Sequence, residues 1–226
     1  MRVSGLLLSR STSHCLISVV IFGSIFESGF SQAVRGTEQP SGSAQQVLAA
    51  RPAEDWPVFL GPTGNGRSGL RGLVVPWEEQ GPRVCWTTEL GEGYCGPSVA
   101  KGLAVVFDRV AGKERLRCLK ADTGHVVWEE NNPTSYVDMF GYDGGPRSTP
   151  IIVDDYVITY GAAGLLECRL LSEGKLQWKV DTSADFHVVA NFFGVGASPV
   201  VYQQASGARR RLVIVQVGGS PIDGLP

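Results

Sequence analysis

Short runs of alternating hydrophobic and polar residues fill most of the chain, and glycine-containing turns separate them. In residues 96–130, three such turns divide the alternating runs into four segments of strand length. The same order returns in residues 148–180, and the start of a third unit lies in residues 197–219. The pattern therefore predicts an all-β protein. The three turns of the first unit are Lys101-Gly102, Gly112-Lys113 and Thr123-Gly124.

A strong internal repeat joins the first two units. Residues 117–129 return as residues 167–179, with a constant offset of 50 positions. A strand-built repeat with a period of roughly 40 to 50 residues is typical of propeller blades. The repeat therefore predicts a partial β-propeller with about two complete four-stranded blades and a partial third. The aligned positions, which form the structural blade motif, are Cys118 and Cys168, Gly124 and Gly174, and Trp128 and Trp178.

One further segment, before the first blade, resembles the last strand of a blade. Residues 82–91 alternate in polarity and contain Trp86, in the manner of the strands that end at Trp128 and Trp178. The segment has no preceding strands of its own. We therefore expect it to be an N-terminal closing strand, which completes the last blade of a ring and removes its exposed edges.

The first 33 residues predict a signal peptide. The apolar run at residues 15–26 is shorter than the ~20 residues that a membrane span needs. Small residues that suit cleavage follow at Gly29, Ser31 and Ala33. The alternative is an uncleaved N-terminal anchor. We expect an exported protein, periplasmic or secreted, without a stable membrane span, in which residues 34–55 form a flexible linker.

Charge and cysteine content narrow the classes of function. A net charge of −2 gives no basic surface for nucleic acid. The three histidines are scattered, so no metal site is expected. Export would leave four cysteines, and we expect buried free thiols at Cys118 and Cys168, which hold the same place in successive repeats. Whether Cys85 and Cys95 pair stays open.

The stretch Ala-Asp-Thr-Gly-His-Val-Val-Trp at residues 121–128 resembles the repeat of the pyrroloquinoline-quinone-like (PQQ-like) propeller family. The resemblance extends over residues 56–219, and the opening Trp-Pro-Val-Phe-Leu-Gly-Pro is similar to that of exported, BamB-like bacterial propellers. It implies a quinoprotein alcohol dehydrogenase-like propeller of the eight-bladed type, of which this chain holds the N-terminal portion. It also implies that the repeated glycine makes a turn and that the repeated tryptophan packs between adjacent blades.

Our first hypothesis for function is a non-catalytic binding or scaffolding module for an extracytoplasmic protein, peptide or glycan. Segments that lead into the innermost strand of each blade converge at one end of the central channel, and they mix glycine with aromatic and polar residues. The alternative for Tyr94, Tyr142 and Phe193 is that they pack one blade on the next. The predicted channel-face binding residues are Tyr94, Tyr142, Asp143, Arg147 and Asn191.

Two alternatives remain. The chain could be a truncated quinone-dependent alcohol or sugar dehydrogenase, for which the family implies PQQ with calcium and a catalytic Asp. The sequence has neither adjacent cysteines nor carboxylates at calcium-ligand spacing, so we expect no cofactor and assign no catalytic residue. The chain could also be an inactive fragment, or one whose ring is completed by a second chain.

Overall fold

The computed structural model describes residues 18–23, 54–71, 79, 81, 84–188, 193–203 and 211–218. These residues form eleven strands and one four-residue helix, which confirms the all-β class. The strands are β1 (Ser18–Gly23), β2 (Ser98–Ala100), β3 (Leu103–Val110), β4 (Lys113–Lys120), β5 (Val126–Pro133), β6 (Ile151–Val153), β7 (Tyr156–Tyr160), β8 (Leu165–Leu170), β9 (Leu176–Asp181), β10 (Val200–Gln203) and β11 (Arg211–Val217). The helix, α1 (Thr182–Asp185), begins after Asp181, whose side chain accepts the Ala184 N–H.

The first two units are complete four-stranded antiparallel sheets. Blade one has the order β2-β3-β4-β5 and blade two has the order β6-β7-β8-β9. The third and fourth strands pair in the same register in both blades, with Cys118 opposite Trp128 and Cys168 opposite Trp178. Each blade has a register shift directly after its cysteine. The two predicted blades are therefore confirmed as matching structural units.

The third sheet holds two strands of the predicted third blade and one strand from the N-terminal region. Its order is β1-β11-β10, and both pairings are antiparallel. β1 thus lies where β4 and β8 lie in the complete blades, beside the second strand. This strand falls inside the predicted signal peptide. The predicted cleavage region and nearly all of the predicted linker lie outside the described residues, so both stay predictions.

Tight turns join the strands close to the predicted positions, although the second turn of blade one lies one residue earlier than predicted, at Ala111 and Gly112, because Lys113 already begins β4. Lys101 and Gly102 both have positive φ, at 54° and 73°, and Ala111 and Gly112 repeat this with 49° and 75°. Two successive residues with positive φ match the right-handed twist of the flanking strands in a two-residue hairpin. The turn glycines supply a conformation that other residues adopt at a cost.

Adjacent blades pack through apolar residues that both of them contribute. Between blades one and two, Val105 and Cys118 of one sheet meet Val157 of the next in a single buried cluster. The cluster between blades two and three repeats this with Ile158, Cys168 and Val213. Burial raises the pKa of the Cys118 thiol to about 11 and that of Cys168 to about 12. The predicted buried free thiols at these two positions are confirmed.

The repeated tryptophan and glycine form the contact between blades. A Cβ on Gly124 would lie 2.7 Å from the Trp86 ring, and one on Gly174 would lie 2.8 Å from the Trp128 ring. Each indole N–H donates to a backbone carbonyl on the same turn, Trp86 to Ala121 at 3.0 Å and Trp128 to Leu171 at 2.7 Å. A tryptophan of one unit thus receives the glycine turn of the next.

The segment predicted to close the ring is not a strand, and a different N-terminal segment pairs with the blades. The predicted closing strand at residues 82–91 forms no strand where it is described, at residues 84–91. A strand needs a hydrogen-bonded neighbour on at least one side, and the blade to which this segment would belong is not among the described residues. Trp56 instead pairs with Val99 of β2, and the Pro57 carbonyl accepts the Ile152 N–H at 2.8 Å.

The disulfide left open by the sequence is not formed, since Cys95 is a free thiol. The Cys95 thiol donates to the Phe107 carbonyl at 3.0 Å. Among the described residues, no helix is long and apolar enough to cross a membrane.

Candidate binding surface at the channel face

The three blades present equivalent residues at one end of their first strands. A proline stands directly before the first strand of each blade, at Pro97, Pro150 and Pro199. The residues three positions before these prolines are Tyr94, Arg147 and Gly196, and all three line one groove of about 620 Å³. Propeller symmetry therefore brings together loops that are about 50 residues apart in the sequence.

The wall of the groove is largely apolar. Val58 and Phe59 follow the Trp56 segment, which crosses the first strands of blades one and two. Ile151 of blade two and Val201 of blade three also line the groove. Few polar groups reach this wall, and a groove of this kind suits an apolar side chain with a small number of orienting contacts.

Arg147 is the anchor of the loop that leads into blade two. Its Nη2 atom donates to the Asp138 carboxylate at 2.8 Å, in a pair that is almost fully buried. Nη1 donates to the Gly145 carbonyl at 2.8 Å. The guanidinium carbon lies 5.2 Å from the centre of the Tyr94 ring and 5.0 Å from that of Tyr136. Because a buried cation needs partners on every side, these contacts fix the loop around it.

Asp138 organises the other half of the same loop. Its carboxylate accepts the backbone N–H of Phe140 at 2.9 Å and that of Tyr142 at 3.2 Å, besides the Tyr136 hydroxyl at 3.2 Å. Burial works to raise the pKa of Asp138, but the two N–H donors, the hydroxyl and the Arg147 cation together lower the pKa below its ordinary value. Asp138 is therefore held ionised in the folded loop.

Asp143 ties the loop before blade one to the loop before blade two. Its two oxygens accept the N–H groups of Gly93 and Gly145, both at 2.9 Å. In return, its own backbone N–H donates to the Tyr94 hydroxyl at 3.1 Å. Both carboxylate oxygens are thus used within the protein, and the side chain acts on the shape of the surface.

Above this polar framework lies an exposed aromatic surface, which we call the rim, formed by Phe140, Tyr142 and Phe193. The rings of Phe140 and Phe193 stack with centres 5.6 Å apart, and Tyr142 lies 6.1 Å from Phe193. The exposed fractions of Phe140, Tyr142 and Phe193 are 59%, 61% and 54%. The alternative role of Tyr142 and Phe193, packing one blade on the next, stays open beside the binding role, because Phe193 of the loop before blade three contacts Phe140 and Tyr142 of the loop before blade two.

The family match comes from the whole repeat region. A family model described as "Outer membrane protein assembly factor BamB" matches residues 33–219. The chain belongs to this BamB-like propeller family. The resemblance in the repeat at residues 121–128 is thereby confirmed. No curated protein is significantly similar to the chain.

Three similar solved structures each align with about half of the chain. Quinohemoprotein alcohol dehydrogenase ADHIIG from Pseudomonas putida is 18% identical, with a TM-score of 0.35, over 51% of this chain and 16% of that one. BamB from Moraxella catarrhalis is 19% identical, with a TM-score of 0.31, over 56% of this chain and 32% of that one. A europium-containing methanol dehydrogenase is 15% identical, with a TM-score of 0.26, over 43% and 27%. The chain spans less than a third of each of these structures.

For this BamB-like chain, the structure brings three of the five predicted site residues together. Tyr94, Asp143 and Arg147 share one hydrogen-bonded cluster, while Tyr142 lies on the rim beside it. Asn191 lies outside the described residues. The site as a whole stays a prediction.

Two residues of the surface were missed by the sequence analysis. Asp138 is the partner of Arg147, and a signal was available, because an acidic residue nine positions before a channel-lining arginine is a natural counter-charge. Phe140 follows it and belongs to the rim. The segment Asp-x-Phe at residues 138–140 could have indicated it, because an aspartate side chain often accepts the backbone N–H two residues later in an Asx turn.

The family resemblance implies PQQ with calcium for the dehydrogenase alternative. Such a calcium ion needs several oxygen ligands that are free to bind it. Among residues 54–71, 84–188, 193–203 and 211–218, no three His, Cys, Asp or Glu side chains are grouped to hold a metal ion. At the channel face, Asp138 and Asp143 already accept hydrogen bonds with their carboxylate oxygens. The described residues therefore do not fit the calcium–quinone pair, and we derive no step through it.

Proposed function

We propose that this chain is a non-catalytic, cofactor-free binding module that acts outside the cytoplasm, in the periplasm or as a secreted protein. Its ligand is an extended segment of another protein, held on the rim with one apolar side chain in the groove. The observation that carries the proposal is the rim itself, because three large aromatic side chains stay more than half exposed on a buried polar framework.

The physical argument rests on the cost of exposing such a surface. Clustered exposed aromatics are unfavourable in water, and on soluble proteins they mark sites that become covered by a partner. Aromatic side chains also lose little conformational entropy on binding, since two torsions define each of them. The Arg147–Asp138 pair holds the loop before a ligand arrives, which reduces the ordering cost of binding.

The family description supports a protein ligand over a small molecule. That description names an outer membrane protein assembly factor, and it supports a protein ligand met outside the cytoplasm. The apolar wall formed by Val58, Phe59 and Val201 suits the side chains of such a ligand better than the hydroxyl groups of a glycan.

The test uses the full chain and an unfolded model protein. Fluorescein-labelled α-lactalbumin, reduced and carboxymethylated so that it stays extended, is titrated with the chain, and anisotropy reports binding. The variant Phe140→Ser with Phe193→Ser removes two rings of the rim. Val126→Ser is the matched control, because Val126 has the same 54% exposure as Phe193 but lies on β5.

We expect saturable binding that the double variant weakens about 30-fold, as for the loss of an aromatic anchor, while the control leaves it unchanged. Equal binding by the double variant would overturn the rim as the site. Displacement of the labelled protein by cellohexaose would instead assign the rim to glycans.

A further inference from the structure

A buried carboxyl of blade one holds a turn of blade two. Glu114 is the second residue of β4 and is 3% exposed. Its Oε1 atom accepts the backbone N–H of Ala162 at 2.7 Å, in the turn between β7 and β8. A Cβ on Gly161 would overlap the same carboxyl, so the side chain lies directly against the turn. A buried backbone N–H needs an acceptor, and Glu114 supplies it to Ala162 from the neighbouring blade.

The same turn of blade two holds the loop before blade three. The Ala162 carbonyl accepts the backbone N–H of Val195 at 3.0 Å. A Cβ on Gly194 would lie 2.7 Å from that carbonyl oxygen and 2.9 Å from the Tyr136 ring. The loop backbone at Gly194 is therefore held tightly against both the Ala162 peptide and the Tyr136 ring, without room for a side chain.

This loop carries one ring of the rim. Phe193 directly precedes Gly194, and its ring stacks on Phe140 with centres 5.6 Å apart. Phe140 lies four residues after Tyr136, in the loop before blade two. The stacking of Phe193 on Phe140 thus depends on where the Ala162 peptide holds the backbone of Gly194 against Tyr136.

The contact of Glu114 is not a feature of the repeat. Glu114 stands four residues before Cys118, whereas Gly164 stands four residues before Cys168 in blade two. Burial raises the pKa of the Glu114 carboxyl, so the folded protein disfavours the charge of this group. The favourable contribution of Glu114 is therefore the reach of its acceptor oxygen to Ala162.

We propose that Glu114 is a positioning residue of the rim, which acts through the Ala162 peptide to hold Phe193 against Phe140. A side chain of blade one thereby fixes a ligand-contacting ring on the loop before blade three. A ring that is held in place before the ligand arrives loses less conformational freedom on binding. The effect of Glu114 on ligand affinity rests on the proposed function, whereas its effect on the stacking of the two rings does not.

Three variants separate the reach of the side chain from its charge. Glu114→Leu removes the acceptor, Glu114→Asp keeps the carboxyl but shortens the side chain by one methylene, and Glu114→Gln keeps the length and an acceptor oxygen. Glu167→Leu is the matched control. Glu167 is also 3% exposed and lies between blades one and two, but it accepts from Asn132 and Arg169 and does not contact the turn at Ala162.

The experiment measures ring stacking and ligand binding on the same full-length proteins. Each protein carries p-fluorophenylalanine in place of Phe193, and fluorine NMR reports the surroundings of that ring without a ligand. Phe140→Ser defines the signal of the unstacked ring. Anisotropy of fluorescein-labelled α-lactalbumin, reduced and carboxymethylated, reports binding to the rim.

We expect Glu114→Leu and Glu114→Asp to move the fluorine signal toward that of Phe140→Ser and to weaken binding about 10-fold. Glu114→Gln and Glu167→Leu should keep the signal of the unchanged chain and an affinity within about 2-fold of it. If Glu114→Leu does not fold, Glu114→Asp gives the same comparison.

An unmoved fluorine signal in Glu114→Asp would overturn the proposal. An equal movement in Glu167→Leu would also overturn it, because the effect would then be one of general packing. An equal movement in Glu114→Gln would assign the effect to the charge and contradict the role of reach. If the unchanged chain does not bind α-lactalbumin, the proposed function fails, and the fluorine signal alone decides the role of Glu114.

Discussion

The indole N–H of Trp128 donates a 2.7 Å hydrogen bond to the Leu171 carbonyl of the next blade. The same turn brings Gly174 against the face of the ring. One residue of blade one thus determines where the last hairpin of blade two lies. Trp86 makes the same hydrogen bond and the same glycine contact with blade one, so the two interfaces use the same atoms.

Replacing the turn glycine tests the packing contribution at this contact. Gly174→Ala places a Cβ 2.8 Å from the Trp128 ring at a φ of 71°, and we expect a loss of about 3 kcal/mol in the free energy of unfolding. Gly102→Ala is the matched control, because its φ is 73° and no atom lies within 4 Å of the added Cβ. We expect about 1 kcal/mol there. Urea denaturation measures both values, and equal losses would contradict the ring contact.

Replacing the tryptophan tests the hydrogen bond. Trp128→Phe leaves the Leu171 carbonyl without its donor and removes part of a buried ring, so we expect a loss of about 2 to 3 kcal/mol. Trp178→Phe removes an indole that donates no hydrogen bond within the described residues, and we expect the smaller loss of the two. Thermal and urea unfolding of the two variants give the comparison. An equal or greater loss for Trp178→Phe would contradict the contribution assigned to the Trp128–Leu171 hydrogen bond.

Acid is expected to loosen the channel-face loop through Asp138. Because the folded state lowers the pKa of this carboxyl, its ionised form stabilises the fold above the ordinary aspartate pKa of about 4. That stabilisation disappears as the pH falls through the lower, folded-state pKa. Asp138→Asn should lower the stability at pH 7 and flatten its loss in acid, as followed by urea unfolding between pH 2 and pH 7. An acid limb that Asp138→Asn leaves unchanged would assign the loss to other carboxylates.

Glu114 should give the opposite pH dependence. Burial raises the pKa of its carboxyl, with a further increase from Glu167, although the Ala162 N–H and Arg109 act against the shift. Stability from this group is therefore greatest below the ordinary glutamate pKa and falls as the pH rises through the raised value. Glu114→Gln keeps an acceptor for the Ala162 N–H and removes the buried charge. We expect its stability to fall less than that of the unchanged chain between pH 4 and pH 8, and an equal fall would contradict this assignment.

The blades could be predicted because their signal is periodic. Cys118, Gly124 and Trp128 return after 50 residues, and each has a requirement that few residue types meet: a small buried group, a positive φ and a large interface ring. The structural role of these residue types can therefore be predicted from the sequence before the residues that they contact are known.

The candidate site could be predicted only in part, because its partners are not periodic. The sequence places Tyr94 and Arg147 at equivalent positions, but it does not show that Arg147 would turn inward to Asp138. The inward turn depends on the Tyr94 and Tyr136 rings on either side of the guanidinium. The pairing of β1 with β11 was missed for a different reason, since the apolar run at residues 15–26 also satisfies the pattern of a signal peptide.

The central claim is that the rim binds an extended segment of another protein, and site-specific photo-crosslinking tests it most directly. The full chain is made with p-benzoylphenylalanine in place of Tyr142, which is 61% exposed on the rim, and irradiated with reduced, carboxymethylated α-lactalbumin. The control carries the same group in place of Val126, which is 54% exposed on β5. The account predicts a crosslinked product from position 142 and none from position 126. Equal crosslinking from both positions, or none from position 142, would contradict it.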